Sequence, residues 1–542
     1  MSKPIRYFAG WVAVVFLFAG CAVSPAVRPS AVPPSSAAPK KIILVICDGM
    51  GPQEVGLLTS YARQAPRSVL KGRTTAFDRM MNAGGRLALS MTYPGTGLVV
   101  DSAASATQLA TGKPAGSEMV GMDRDGNIVE SLIEKAKKAG KATGIVSDTR
   151  LTHATPAGFG AHEDQRDNEN EIAADMLALQ PDVMLSGGLR YFIPKDAAKA
   201  DSAAARAVRA LTGGAVRFSS GRNDDLDLLK EAADKGYALA FNAVQLERAS
   251  GSKILGLFAE SALPYAIDAD DIFRASGRTV PTLRDMAAKT LEVLSRNEKG
   301  FVLMLEAGLL DWMLHDNDAG GALQEMVMLN GVLEYVLGWA GERGDTLVVI
   351  TGDHETGGFG FSYSAFDLPA GRPLPGDGFK GKEFKPLFNY GRPETLDRLY
   401  DQKISFESIF RGRFDALPKE ERTPAALARI VNEAGDFKIT DEAAARILET
   451  EANPFYVEKH RYLGNAVVPR VRDFASFYVY QSDNRKNLLG RELSKEQSVV
   501  WSTGTHTATP IPVFSFGPAS GEFQGIIHHT EIGRKLMSLI RN

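Results

Sequence analysis

The heptapeptide Lys41–Cys47 (KIILVIC) restricts the fold more than any other stretch of the chain. An unbroken apolar run of this length is a strand covered on both faces, because a strand with one wet face alternates apolar and polar residues. Further strand-like runs lie at 86–91, 143–147, 182–185, 237–241, 253–258, 301–305, 346–350 and 511–516. Helical patterns fall between them, at 129–139, 226–235, 283–294 and 321–339 among others. Strand and helix in alternation predict an α/β fold with a large, mostly parallel central sheet flanked by helices on both faces. Functional residues then belong just beyond the carboxyl ends of the strands. The alternation stops near Gly360 and resumes only at the last strand. Residues 361–500 therefore read as a long crown-like insertion covering one face of a core made of 41–360 and 501–542. Helices inside it start at Thr423-Pro424 and Thr440.

Composition is that of a globular protein, with 44% hydrophobic and 23% charged residues and a formal net charge of -3. With a pI near 6.3 and no basic stripe, nothing points to nucleic acid as a specific partner. The N-terminus stands apart from the fold. Lys3 and Arg6 precede an apolar stretch, 8–18, too short to span a membrane, that ends at Phe18-Ala19-Gly20-Cys21. This resembles a bacterial lipoprotein signal, with a plain secretory signal as the alternative. The resemblance implies loss of residues 1–20 and a lipid anchor on Cys21. The protein is then exported, either periplasmic or anchored at the outer membrane of a Gram-negative bacterium. Residues 21–40, rich in Pro, Ser and Ala, read as a flexible tether. Cys47 is the other cysteine, so with Cys21 lipidated no disulfide forms within one chain. Stability must come from the core or from bound metals.

Chemistry-bearing residues collect at the predicted strand ends. Asp48 follows the first strand in Cys47-Asp48-Gly49-Met50-Gly51. A carboxylate there is costly unless paired or metal-bound, although a turn or helix cap would also use Asp. Glu306 ends the 301–305 run. Asp311 and His315, four residues apart, share one face of a helical turn, which suits zinc as well as an ordinary surface pair. Asp353 and His354 follow the next strand, and His506 precedes the last. Delivered to one sheet edge, these residues suffice for two divalent ions. Asp101-Ser102 opens a run of small residues that closes at Gly112. Ser102 reads as the N-cap of a short helix over 103–111. Its hydroxyl then sits at the positive end, a favourable place for a nucleophile that handles anions. A plain capped helix is the simpler alternative. His162, His460, His528 and His529 lack partner motifs and read as structural or surface residues.

Taken together these motifs resemble the alkaline phosphatase family, from about 41 to 360 and again from 501 to 539. Asp101-Ser102-Ala103-Ala104-Ser105-Ala106-Thr107 is similar to the family's nucleophile motif. The resemblance implies metal-dependent hydrolysis of small-molecule phosphate monoesters through a phosphoserine at Ser102. It implies one zinc at Asp311, His315 and His506. A second zinc falls to Asp48, Asp353 and His354, with the Ser102 oxygen. A third ion, usually magnesium, falls to Asp48, Thr155 and Glu306. Arg166 matches the phosphate-clamping arginine, a planar fork for two oxygens. Asp101 is implied as a positioning residue for Arg166. His153 and Trp312 stand at positions that vary among members and are assigned to the phosphate site. A homodimer is within the family's range. Rival readings are a phosphodiesterase or sulfatase of the same superfamily, or a non-catalytic surface lipoprotein that binds metal or phosphate. The sulfatase pattern Cys/Ser-x-Pro-x-Arg is absent around Ser102, and diesterase relatives usually use Thr. Thr111-Gly112-Lys113-Pro114 lacks the Ser/Thr and upstream Gly of a P-loop.

Overall fold

The computed structural model describes residues 38–269 and 280–541. The predicted signal, Cys21 and most of the tether lie outside the described residues. The central sheet has ten strands: β1 (Lys41–Cys47), β2 (Arg86–Met91), β3 (Ala142–Arg150), β4 (Val183–Gly187), β5 (Ala238–Ala240), β6 (Ile254–Leu257), β7 (Phe301–Ala307), β8 (Thr346–Thr351), β9 (Ile511–Phe516) and β10 (Gly525–His528). Their order across the sheet is β10-β2-β9-β8-β1-β7-β3-β4-β6-β5. β1 lies between β7 and β8, parallel to both. Its alternate residues serve two cores: Ile43, Val45 and Cys47 pack on one side, Ile42, Leu44 and Ile46 on the other. This double burial is why the run is continuously apolar, and each such side chain contributes about 1.5–3 kcal/mol.

Two features differ from the sequence-based expectation. β9 runs antiparallel to both its neighbours, β2 and β8. A parallel last strand would have carried His506, which precedes it, to the far edge. Reversed, β9 starts at the edge where the other strands end, and His506 reaches the site. The strand β10 was not predicted. It is four residues long, and Ile526 in it is 76% exposed, so it carries little apolar pattern.

The chain enters and leaves the insertion through a short antiparallel neck, Gly360–Phe361 against Val499–Val500. Inside are two further two-stranded pairs and the helices Pro424–Ala434, Asp441–Leu448 and Asn484–Gln497. Phe406, Leu427 and Ile430 join the core cluster on one face of the sheet. Among the described residues no helix is long and apolar enough to cross a membrane.

Candidate active site

The Ser102 helix spans Ser102–Thr111, and every residue of it is buried. Its run of small side chains fits between two other helices. A Cβ on Gly158 would meet Ala106 Cβ at 2.9 Å, and one on Gly533 would meet the Gln108 carbonyl at 2.5 Å. Gly112 closes the helix in the left-handed conformation, as expected. The N-cap, however, is Asp101, not Ser102. Its carboxylate accepts from Ala103 N (3.1 Å) and Ala104 N (3.3 Å). A carboxylate with two acceptor oxygens takes the capping role, and Ser102 becomes the first helical residue. Its hydroxyl is thereby released from capping and faces His354 Nε2 at 3.1 Å.

Register explains how the strand ends meet. Cys47 pairs with Ala307, Ile46 with Thr351, and Ser147 with Glu306. Asp48, Glu306 and Asp353 therefore leave three adjacent strands at nearly one level, all fully buried. The helix Leu309–His315 follows β7 and presents Asp311 and His315 on one face. Three groups result, each with its ligand atoms within 4.8 Å of one another: Asp311, His315 and His506; Asp48, Asp353 and His354; and Asp48, His153 and Glu306. Asp48 belongs to two of them. Thr155 Oγ1 lies 3.4 Å from Asp48 Oδ2.

The hydrogen bonds fix the imidazole tautomers. His315 Nδ1–H donates to the Gly504 carbonyl (2.8 Å) and His506 Nδ1–H to the Val100 carbonyl (2.8 Å). His354 Nδ1–H donates to Thr356 Oγ1 (3.2 Å), whose own proton goes to Asp311 Oδ1 (2.5 Å). Each ring thus turns its Nε2 toward the cluster, and those of His315 and His506 stand 3.1 Å apart.

Burial raises the Asp48 carboxyl, helped by Asp353, Asp311 and Glu306 around it. Burial also pushes Glu306 to about 7 against the hydrogen bonds it accepts, and Asp353 to about 7. Burial would lift Asp311 too, but His315 and His506 hold it far below the usual carboxylate range. Burial lowers His153 and His354, and takes His506 down to about 4. At His315 burial is outweighed by Asp311, and its pKa rises. Asp48 Oδ1, Glu306 Oε1, Asp353 Oδ2 and His153 Nδ1 are buried without a hydrogen-bond partner.

Arg166 Nη1 donates to Asp101 Oδ2 (3.2 Å), and Nη2 faces His153 Nε2 (3.2 Å). Burial works against its charge, and Asp101 overrides that and keeps the guanidinium protonated. Trp312 stands edge-on to His153, with ring centroids 5.7 Å apart. Ser102, Arg166, Asp311, His315 and His506 line one cavity of about 490 Å³. Several supports had no sequence signal. Ser147 and Thr149 hydrogen-bond Glu306. Ser105 Oγ donates to the Asp353 carbonyl (2.8 Å) and accepts from His529 Nδ1 (3.1 Å), so His529 braces the loop of Asp353 and His354. A hydroxyl or imidazole acting through the backbone of a distant loop leaves no motif of its own.

Comparison with known proteins agrees with this geometry. The family model described as alkaline phosphatase matches residues 39–384. Alkaline phosphatase 3 of Bacillus subtilis is 28% identical over 506 residues, covering 93% of this chain and 89% of that protein. The alkaline phosphatase of Escherichia coli is 32% identical over 340 residues, covering 58% of this chain and 70% of its own length. Among solved structures, the Thermus thermophilus alkaline phosphatase superposes with a TM-score of 0.72 at 26% identity, over 94% of this chain and 93% of that one. A cold-active alkaline phosphatase from a Shewanella species gives 0.66 at 27%, over 93% and 100%. With a family match over most of its length and a metal-ligand cluster at the carboxyl edge of its sheet, the chain belongs to the alkaline phosphatase family of metal-dependent enzymes that hydrolyse phosphate monoesters.

Proposed function

We propose that Ser102 is the nucleophile, that the three residue groups hold two zinc ions and one magnesium ion, and that Arg166 clamps the transferring phosphoryl group. The observation that carries this reading is the facing pair of Nε2 atoms of His315 and His506, 3.1 Å apart. With both Nδ1–H groups committed to backbone carbonyls, both Nε2 atoms face each other beside Asp311, an arrangement that a shared cation satisfies. The unpartnered buried oxygens of Asp48, Glu306 and Asp353 support it, since buried carboxylates are costly without a cation or donors. The Asp311 and Asp353 groups mix imidazole and carboxylate, as zinc prefers. Asp48, Glu306 and Thr155 offer oxygen, which suits magnesium, and His153 adjoins them.

When bound, such ions acidify a serine hydroxyl or water and neutralise charge on phosphoryl oxygens. The chain supplies the rest. Asp101 takes the helix cap and leaves Ser102 Oγ free at the helix N-terminus, where the dipole favours an anionic substrate. Ser102 Oγ attacks phosphorus, the ester bond breaks, and the alcohol departs. Ser102 holds the phosphoryl group until water releases it as inorganic phosphate. Arg166, aligned by Asp101, offers its fork to two phosphoryl oxygens, with His153 and Trp312 beside it.

The test is an assay of the purified chain on an aryl phosphate monoester and a diester at alkaline pH, with and without chelator, beside Ser102→Ala. Monoester turnover should disappear with chelation and with Ser102→Ala, and the diester should be a poor substrate. Monoester turnover that survives both treatments overturns the reading. The same proposal places the enzyme outside the cytoplasm, in the periplasm or tethered to the outer membrane through a lipid on Cys21. The basic, apolar and Cys-terminated order of the first 21 residues supports it. The mass of the mature N-terminal peptide checks it. A homodimer is included, because Leu87, Leu89 and Ile526 leave an apolar face exposed on the edge strand β10 and its neighbour β2. Sedimentation of the purified protein reads that state.

A further inference from the structure

The cavity above Ser102 is far larger than a phosphoryl group needs, and the insertion builds its outer wall. Tyr480 stands edge-on to the His315 ring, with centroids 4.9 Å apart and planes at 85°. Tyr462 stands edge-on to Tyr480 in turn, at 5.1 Å and 84°. Both line the same cavity of about 490 Å³ as Ser102 and Arg166, a size typical of sites for small organic ligands. The rings therefore step outward from the metal-ligand cluster toward solvent, and Tyr462 remains 39% exposed.

This wall is fastened to the catalytic loops on both sides. Arg461 forms an ion pair with Asp167, the neighbour of Arg166, and lies over the Tyr462 ring at 5.2 Å. Asn487 Nδ2 donates to the His315 carbonyl at 2.5 Å, and Lys486 pairs with Asp316 at 2.8 Å. Neutral rings add no charge to hold a phosphoryl group. Aromatic faces and edges do suit a planar ring, which they bind by offset or edge-to-face contact.

We propose that Tyr480 and Tyr462 form a leaving-group subsite. It takes a planar aromatic ring joined to the phosphate through a non-aromatic spacer, as in a nucleoside 5′-monophosphate. The proposal rests on Ser102 and Arg166 fixing the phosphate end. Adenosine 5′-monophosphate and ribose 5-phosphate share the same primary-alcohol leaving group, so their kcat/KM values differ chiefly by the base. The native enzyme should favour the nucleotide by about three- to tenfold. Tyr462→Leu should remove most of that preference while ribose 5-phosphate stays within about twofold of native. Tyr462→Trp should retain the preference. Equal kcat/KM for the two substrates in the native enzyme, or equal loss on both in Tyr462→Leu, overturns the proposal. Calorimetric titration of metal-loaded Ser102→Ala protein separates the two claims. Tighter binding of the nucleotide than of ribose 5-phosphate upholds the subsite even if native turnover fails the Ser102 reading, and equal binding rejects it.

Discussion

The two walls of the cavity are built in opposite ways. The inner wall consists of side chains at the ends of buried strands, where register alone brings Asp48, Glu306 and Asp353 level. The outer wall comes from the insertion, and is held over the site by side-chain links such as Arg461 to Asp167 and Lys486 to Asp316. A strand in mid-sheet cannot shift without losing pairing on both sides and burial on both faces. The half-exposed Arg461–Asp167 pair holds less firmly, whereas the Lys486–Asp316 pair is buried and costly to break. The difference teaches that the ligand cluster is anchored by strand register, whereas the proposed leaving-group subsite depends on tertiary contacts of the insertion, part of which packs into the core through Phe406, Leu427 and Ile430.

The comparison breaks most sharply at Asp48, which serves two ligand groups. Asp48→Ala should cost both ions and lower activity by on the order of a thousandfold or more, whereas Asp311→Ala should cost one ion. Metal content per chain, measured by plasma mass spectrometry, checks the count. Next comes Thr356, whose hydroxyl links His354 to Asp311. Thr356→Val should weaken metal binding by about 10–100-fold, read from chelator competition, with little change in fold.

Asp101 joins a helix cap to an arginine partner, and two substitutions separate these roles. Asp101→Asn keeps a capping side chain and should raise KM with stability near native. Asp101→Ala should in addition lose about 1 kcal/mol of stability in denaturant unfolding.

A smaller, pH-dependent effect lies beneath the core wall. Burial pushes Glu325 to about 8 from 4.5, with Asp148 nearby raising it further. The folded state then holds a proton that the unfolded state has released, so stability falls as pH rises from about 4.5 to 8 and levels off above. Glu325→Gln should raise the melting temperature at pH 9 and leave it nearly unchanged at pH 4. The least effect belongs to the outer wall: Arg461→Ala should cost under about 1 kcal/mol of stability, because that ion pair is half exposed.

The core was readable because burial on both faces writes itself as continuous apolar runs, and because ligands follow those runs directly. Asp48, Glu306, Asp353 and His354 could all be placed at strand ends from that pattern. What escaped lacks a local pattern. The reversal of β9 depends on its partners, and β10 is too short and too exposed to show a period. The exchange of the cap from Ser102 to Asp101 turns on one residue of backbone geometry, although Asp101's contact with Arg166 was anticipated. The bracing by Ser105 and His529 joins residues 424 positions apart. In the insertion, Tyr462 and Tyr480 sit in irregular chain, where only the fold brings them to His315.

The central claim is that Ser102 carries the phosphoryl group. Acid quenching during turnover of a phosphate monoester, followed by digestion and mass spectrometry, tests it directly. The account predicts one added phosphoryl group on the peptide containing Ser102, absent from Ser102→Ala. A phosphoryl group on a different residue, or steady turnover by Ser102→Ala, would contradict it.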